Sequence, residues 1–391
     1  MPWRGRRQRG AGSLQSVVQQ SGLRGRGGAG FPAAAKMAAV VSQGGRPVVV
    51  ANGTEGEPAS AKDTLLLLRQ THLVLDGAAL VAEAIGSRRV VVCCRRSALS
   101  VVEEAICQRE SARLDPVRWS ATAPPERFVS GEESALVNWI DNGVALPTKT
   151  PPRPFERGVA GNPTLLNNVE TLAHVALMAR FGPQWFKSVG PADDPGSMLV
   201  TVSDAAGVRG VSEWPRGVLL EKVLSHAGLV PERLAGVLVG GYSGSWVSGG
   251  DTVAVRLSAS CEGGVSPGAG VIVALDDQRC PLQHVAALAR YLASQSAGQC
   301  GPCAAGLPAL ARAAEAVSRP GRPAPELPIH RWMDQVHRRG ACHHPDGAVR
   351  MIRSALTTFS GEVEIHAGGR CSFAGHSSGA GGGAPVAGAR C

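Results

Sequence analysis

Ser21-Gly22-Leu23-Arg24-Gly25-Arg26-Gly27-Gly28-Ala29-Gly30-Phe31-Pro32 runs into an alanine-rich stretch that reads as a helix through Val41. Gly25, Gly27 and Gly30 satisfy the spacing G-x-G-x-x-G. The dinucleotide form of that pattern needs a strand before the loop. Here Leu14 to Gln20 reads as a short helix instead, so the spacing by itself is weak. The chemistry still favours an anion. Glycines let backbone N–H groups approach phosphate closely. The helix that follows offers its N-terminus to negative charge, and Arg24, Arg26 and Lys36 can neutralise it. The alternative is a flexible surface loop.

Downstream, strand and helix patterns alternate. Arg46 to Ala51 is a short apolar strand, and a long helical region follows from about Ala61 to Ile85. Arg89 to Cys94 is a second buried strand, Leu99 to Arg109 a helix, and Val117 to Thr122 a third strand. A further helix opens near Gly131. This alternation predicts an α/β sheet. The character changes near Gly190. Met198 to Val202, Gly236 to Val239 and Val271 to Leu275 are β-like runs, with one helix near Gly217 to Ala227. His284 to Ser294, Ala304 to Val317, Ile329 to Arg338 and Ala348 to Phe359 read as helices. From Ala367 the chain is rich in Gly, Ser and Ala, a composition that frays.

Three loops carry candidate chemistry. Asn52-Gly53-Thr54-Glu55-Gly56-Glu57-Pro58 follows the first strand, and ligands in α/β sheets sit beyond strand C-termini. Asn52 can both donate and accept, and Glu55 and Glu57 can take sugar hydroxyls. A solvated turn is the plain alternative. Glu132 and Glu133 open a helix, where the helix dipole alone favours acids. Asn167 and Asn168 precede an apolar helix, where an amide side chain can serve simply as a cap. Cys300-Gly301-Pro302-Cys303 places two thiols around a tight turn, and Cys342 follows 39 residues later. Such thiolates suit iron–sulfur or zinc. A thioredoxin-type redox pair would follow a strand, and these surroundings read as helical.

Composition narrows the classes. The 391 residues carry 40 basic and 31 acidic side chains, a net charge of +9 and a pI of about 9.3. The arginines are scattered and aromatics make up only 4%, which argues against nucleic acid and fits a phosphorylated cofactor or an acidic partner. No apolar run approaches bilayer length, and the first thirty residues lack a signal-peptide core. The expected setting is a reducing cytoplasm, where clustered cysteines are metal or redox sites.

Taken together and in order, these segments resemble the family of FMN- and NADH-binding subunits of NADH:quinone oxidoreductase, with its soluble diaphorase relatives in NAD-linked hydrogenases and formate dehydrogenases. Ser21 to Pro32 with Lys36 resembles the FMN-phosphate loop. Asn52 to Pro58, with Lys62-Asp63 and His72, resembles the N-A-D-E-x-E-P segment and its downstream signals. Gly131 to Leu136 resembles G-E-E-T-A-L. Pro163-Thr164 and Asn167 to Thr171 match P-T…N-N-V-E-T. Ser296 to Cys303 resembles S-C-G-x-C-x-P-C. The likeness spans about residues 14 to 371.

The resemblance implies a Rossmann-like FMN/NADH-binding α/β domain over 1–190. It implies a ubiquitin-like β-grasp module of the SLBB type over 191–283, a helical iron–sulfur domain over 284–371, and a disordered tail over 372–391. It implies that hydride passes from NADH to FMN, and single electrons then pass to a cluster and a partner. Gly25, Gly27 and Lys36 would hold the FMN phosphate. Asn52, Glu132, Asn167 and Asn168 would hold the rest of FMN, and Phe31, Glu57 and Glu133 would face NADH. Gly28, Gly30 and Glu55 would also bind cofactor. Cys300, Cys303 and Cys342 would be metal ligands. The implied partners are a thioredoxin-like [2Fe–2S] subunit and a larger electron-transfer assembly, without nucleic acid or direct membrane insertion. The implied location is cytoplasmic or peripheral to a membrane complex.

The chain departs from the family at several points. Thr54 replaces an acid, Met37 replaces an aromatic, Phe128 replaces a tyrosine, and Arg153 stands where a phenylalanine is expected. Ala297 replaces the first cluster cysteine. Three cysteines could hold a [3Fe–4S] cluster, or a [4Fe–4S] cluster with a fourth ligand from His343, His344 or Cys371, or no cluster. A non-catalytic scaffold or small-ligand module is the alternative that these departures favour.

Overall fold

A computed structural model of the chain describes residues 13–321 and 328–373. The basic, glycine-rich start and nearly all of the tail expected over 372–391 lie outside the described residues. The described residues fall into two compact units. The first takes its residues from Met1–Gly56, Ala61–Leu199 and Val211–Gly217, and the second from Glu57–Ser60, Val200–Gly210 and Val218–Cys391.

In the first unit, α1 (Leu14–Ser21) and α2 (Ala33–Ser42) flank the glycine loop, so a helix does precede it. Then come β1 (Val48–Gly53), α3 (Lys62–Arg69), α4 (Thr71–Ile85), β2 (Arg89–Cys94), α5 (Arg96–Ser111) and β3 (Arg118–Thr122). They are followed by α6 (Glu133–Asn142), β4 (Thr164–Asn168), α7 (Val169–Phe181) and α8 (Pro183–Lys187). The sheet is parallel, in the order β3-β2-β1-β4. Its central strands β1 and β2 are apolar on both faces, as burial between helical layers requires. Val49, Ala51 and Leu165 pack with Leu67, Leu75 and Leu172, while Val48, Val50 and Leu166 pack with Leu136 and Val159. Chain order reverses between β1 and β4, and this is where open α/β sheets leave a crevice beyond the strand ends.

The helical region expected from Ala61 to Ile85 is two helices, bent by 95° at Gln70. After the bend, α4 packs on α7 so closely that a Cβ on Gly77 would lie 1.9 Å from the Leu172 carbonyl oxygen. Only glycine permits that approach. No single helix among the described residues is long and apolar enough to cross a membrane. By length and composition the bent pair α3–α4 meets that test, although Leu67, Val74, Leu75, Ala78, Val81 and Ala82 along it are buried.

The second sheet is mixed, in the order β6-β5-β9-β7-β8. Its strands are β5 (Ser197–Asp204), β6 (Gly207–Pro215), β7 (Leu234–Val239), β8 (Ser245–Ser248) and β9 (Val271–Asp276). β5 and β9 run parallel, whereas β7 is antiparallel to both β8 and β9. One helix, α9 (Leu220–His226), accompanies the sheet.

The last part of the second unit is helical: α10 (Pro281–Ser294), α11 (Leu307–Val317), α12 (Ile329–Val336), α13 (His344–Thr358) and α14 (Ser360–Ala367). A π-helical turn, Pro302–Gly306, leads into α11. α10 packs against α11 and α13, and α13 also lies along β8. The rings of Phe359 and Trp246 meet edge to face beside Gly236.

Candidate functional site

The C-terminal ends of β1 and β4 lie side by side, with Ala51 beside Asn167 and Asn52 beside Asn168 in register. Around this point the first unit gathers most of the residues singled out from sequence. The glycine loop reaches it from one side. Gly25 donates its backbone N–H to the Phe31 carbonyl at 2.9 Å, closing the loop on itself. A Cβ on Gly27 would come within 3.3 Å of the Asn168 Cβ. Gly28 and Gly30 have φ of +106° and +61°, where an L side chain is strained. Inside the loop, Arg26 is 5% exposed, and its backbone N–H bonds the Thr171 hydroxyl at 2.9 Å. Burial lowers its guanidinium to about 10, partly offset by Glu170, so it stays charged at neutral pH.

From the other side comes the turn before α6. The Asn52 side-chain amide donates to the Gly131 carbonyl at 2.9 Å. Glu132 is the N-cap of α6. Its carboxylate accepts from the backbone N–H groups of Ser134 and Ala135 at 2.9 and 3.0 Å. Burial raises this carboxyl above its usual range, against those hydrogen bonds. Glu133 is half-exposed and forms an ion pair with Lys36 of α2. Phe31 is 56% exposed. Thus a loop glycine, Lys36, both amides at the strand ends and the two acids border one region.

Among the described residues, four buried polar atoms here have no hydrogen-bond partner: Arg26 Nε in the loop, Thr54 Oγ1, Ser130 Oγ and Asn167 Nδ2. Orphaned buried groups are uncommon in folded proteins and call for a ligand or another cause. Their chemistry suits a ligand rich in carbonyl and hydroxyl oxygens. The glycine cradle, Lys36 and these donors therefore fit a flavin mononucleotide. Sequence reasoning did not single out Ser130, because a lone serine before an acid pair carries no signal.

Beneath the amides lies a buried charge cluster. The Lys62 ammonium is 1% exposed and donates to Asp63 at 2.7 Å and Glu170 at 2.8 Å. Asn168 ties into it, donating to Asp63 at 2.6 Å and capping α7 through the Glu170 N–H. One ammonium cannot neutralise two carboxylates. Burial raises Asp63 more than Lys62 lowers it, whereas at Glu170 the effects of Lys62 and His174 outweigh burial and hold the carboxyl down to about 2. Glu55 has a left-handed φ of +46°. Its carboxylate accepts from Asp63 N, Thr64 N and Thr64 Oγ1 at 2.6–3.0 Å, and so caps α3. Lys62-Asp63 and Glu170 were legible as parts of motifs but not as one cluster.

Glu57 belongs to the second unit, where its carboxylate accepts from the Tyr242 N–H at 2.9 Å. In the same unit the Cys300 and Cys303 thiols hydrogen-bond to each other, and Cys342 lies close enough to act on Cys303 electrostatically. Burial raises Cys300, but the N–H groups of Ala341 and Cys303 and the Cys303 thiol more than reverse this. N–H groups aimed at sulfur favour thiolate and hence metal. At Cys303, burial and the neighbouring Cys300 instead raise the thiol to about 11. The three cysteines fit three corners of an iron–sulfur cluster, and Ala297 supplies no fourth. His343 is exposed beside Asp346, and His344 Nε2 donates to the Leu292 carbonyl at 2.8 Å.

Comparison with known proteins agrees with this chemistry. Residues 18–177 match the family described as the Nuo51 FMN-binding domain, and residues 283–366 the NADH-ubiquinone oxidoreductase-F iron–sulfur binding region. The chain is 30% identical to an F-type subunit of NADH-quinone oxidoreductase from Rhizobium meliloti, over 90% of this chain and 88% of the relative. It is 29% identical to the F-type subunit of the same enzyme from Streptomyces coelicolor, over 92% and 84%. A crystal structure of an NAD+-reducing [NiFe]-hydrogenase in the H2-reduced state superposes with a TM-score of 0.83 at 30% identity, over 90% of this chain. The match spans 62% of the length of that hydrogenase chain.

Proposed function

Because this chain belongs to the family of F-type subunits of NADH-quinone oxidoreductase, we propose that it is an NADH-oxidising flavoprotein subunit of a larger electron-transfer assembly. The observation that carries this reading is the unpaired Asn167 Nδ2 at the point where strand order reverses, next to Asn168, which Gly27 of the glycine loop approaches. FMN, when bound, accepts hydride from NADH and releases its electrons singly to an iron–sulfur centre.

The protein's part is positioning and charge. Gly25, Gly27, Gly28 and Gly30 give a phosphate access to backbone N–H groups, and Lys36 supplies the counter-charge. Asn52, Asn167 and Asn168 would hold the flavin ring and its ribityl chain. Glu55 and Glu132 act from behind, by fixing α3 and α6. Phe31 and Glu133 face the dinucleotide. Lys36 is paired with Glu133, so if Lys36 held a phosphate the Glu133 carboxylate would be free for a nicotinamide or ribose hydroxyl. This gives an order: the mononucleotide first, then the dinucleotide.

The domain boundaries follow the same reading: an FMN/NADH domain over 1–190, a β-grasp module of the SLBB type over 191–283 and a helical iron–sulfur bundle over 284–371. The mixed sheet with its single helix supports the second, and the packing of α10, α11 and α13 supports the third. Cys300, Cys303 and Cys342 hold the cluster. A thioredoxin-like [2Fe–2S] subunit is the next carrier, and the location is cytoplasmic or peripheral to a membrane complex.

The test is anaerobic purification of the full chain. The expected protein is yellow, holds FMN and bleaches with NADH. Cys300→Ser should lose iron yet keep its flavin and its bleaching. A colourless chain that takes up no added FMN would refute the assignment.

A further inference from the structure

We propose that Cys280, Glu362, His366 and Cys371 form a structural zinc site, separate from the iron–sulfur cysteines. Their four donor atoms all lie within 4.8 Å of one another. Tetrahedral ligands that share one zinc at roughly 2.0–2.3 Å stand about 3.3–3.8 Å apart, so the widest pair of the group would close by about 1 Å on binding. Thiolates of a multi-iron cluster bind different corners and stand further apart than donors to a single ion.

Four separate features prepare these donors. Cys280 is the N-cap of α10, with the backbone N–H groups of Leu282 and Gln283 near its sulfur. Burial outweighs those N–H groups and holds the free thiol up to about 12, so an ion entering the site has to displace its proton. Glu362 and His366 are four residues apart on α14, so they share one face. The turn at Gly368-Gly369 folds the chain back, with the Arg370 N–H bonding the Ile365 carbonyl, and this brings the Cys371 thiol to that of Cys280. Finally, Glu362 is oriented by the Ser372 N–H at 3.0 Å.

His366 gives the sharpest indication. Its Nδ1 lies 3.2 Å from the Val317 carbonyl, which can only accept, so Nδ1 carries a hydrogen. Its Nε2 faces the Glu362 carboxylate at 3.0 Å and the Cys280 sulfur at 3.6 Å. A neutral imidazole would then set a lone pair against a carboxylate oxygen. Either a second proton or a metal ion relieves that repulsion. A carbonyl behind a ligating histidine is the usual outer-shell arrangement at metal sites.

The donor set selects the ion. Two thiolates, an imidazole and a carboxylate exclude magnesium and calcium and suit zinc. Cys280, Glu362 and His366 are each under 9% exposed, so four protein donors close the site, as in structural rather than catalytic zinc centres. Binding would release the two thiol protons to solvent. The ion would tie the start of α10 to α14 and to the segment after it.

The test uses the full chain, expressed with both iron and zinc and purified anaerobically under reducing conditions. Elemental analysis should give one zinc per chain beside the iron. Zinc-edge absorption should show two sulfur ligands at about 2.3 Å and two nitrogen or oxygen ligands at about 2.0–2.2 Å. Cys371→Ser and His366→Gln should lose the zinc and keep wild-type flavin and iron, while Cys300→Ser should lose iron and keep wild-type flavin and zinc. Should the variants fail to fold, cobalt exchange into the unaltered chain is decisive, because two thiolates give intense sulfur-to-cobalt charge-transfer bands. A chain that holds its flavin but takes up neither zinc nor cobalt overturns the proposal and leaves an imidazolium–carboxylate pair. So does loss of iron from Cys371→Ser, which would assign Cys371 to the cluster.

Discussion

Replacing Lys62 by methionine keeps the length of the side chain and removes its charge. In the folded protein the ammonium is 1% exposed and donates to Asp63 at 2.7 Å and to Glu170 at 2.8 Å. Without it, two carboxylates remain buried with no cation between them. Breaking a buried pair by removing one partner costs about 3–5 kcal/mol. Two charge-assisted hydrogen bonds at roughly 1.5–3 kcal/mol each give the same range. The ratio of folded to unfolded protein should fall by roughly a hundredfold to a few thousandfold. Urea unfolding at pH 7, followed by tryptophan fluorescence, reads this directly. Adding Glu170→Gln to Lys62→Met should recover part of the loss, because one unpaired charge is then gone. A Lys62→Met variant within about 1 kcal/mol of the native chain would refute the reasoning and demote the cluster to a bystander.

Gly77→Ala places a methyl group 1.9 Å from the Leu172 carbonyl, so α4 and α7 must separate. A loss of about 1–3 kcal/mol, readable from the urea midpoint, is expected. Gly27→Ala brings a Cβ to 3.3 Å from Asn168 and crowds the phosphate approach. Its affinity for FMN, measured by quenching of flavin fluorescence, should weaken at least about tenfold while the urea midpoint barely moves. The acid limb follows Glu170. Its folded carboxyl is depressed to about 2, so the stabilisation is complete above the unfolded value near 4.3 and is lost as pH falls towards 2. Glu170→Gln should flatten the loss of thermal stability between pH 4.5 and about 2.

The parallel sheet was legible where strands are runs of valine, as at Val48–Val50 and Val90–Val92. β4 was not, because Thr164-Leu-Leu-Asn-Asn168 has two apolar residues and two amides, and pairing with β1 rather than local preference makes it a strand. β6 and β8 escaped notice for related reasons. β6 is mostly exposed or half-buried, and β8 has only four residues. The break at Gln70 has no proline or glycine to mark it. Capping by Glu132 and Asn168, the plain reading of both positions, is present in the structure. The glycine loop, Lys36 and the amides could be listed from the chain, but their meeting beside Thr54 and Ser130 depends on the sheet order. Cys280 and Cys371 are separated by 91 residues, so no spacing rule could pair them.

Glu55 has a further consequence. Its side chain is fastened to three donors at the start of α3, and its carbonyl accepts from Arg95 Nε at 2.8 Å. A left-handed backbone held this way costs of order 1–3 kcal/mol, and the cost is met during folding rather than when a ligand arrives. The segment after β1 is therefore already in its final shape. A guest molecule entering beside it loses little of its binding energy to ordering the host. Tight retention and slow exchange follow, the behaviour expected of a permanent prosthetic group rather than a diffusing substrate.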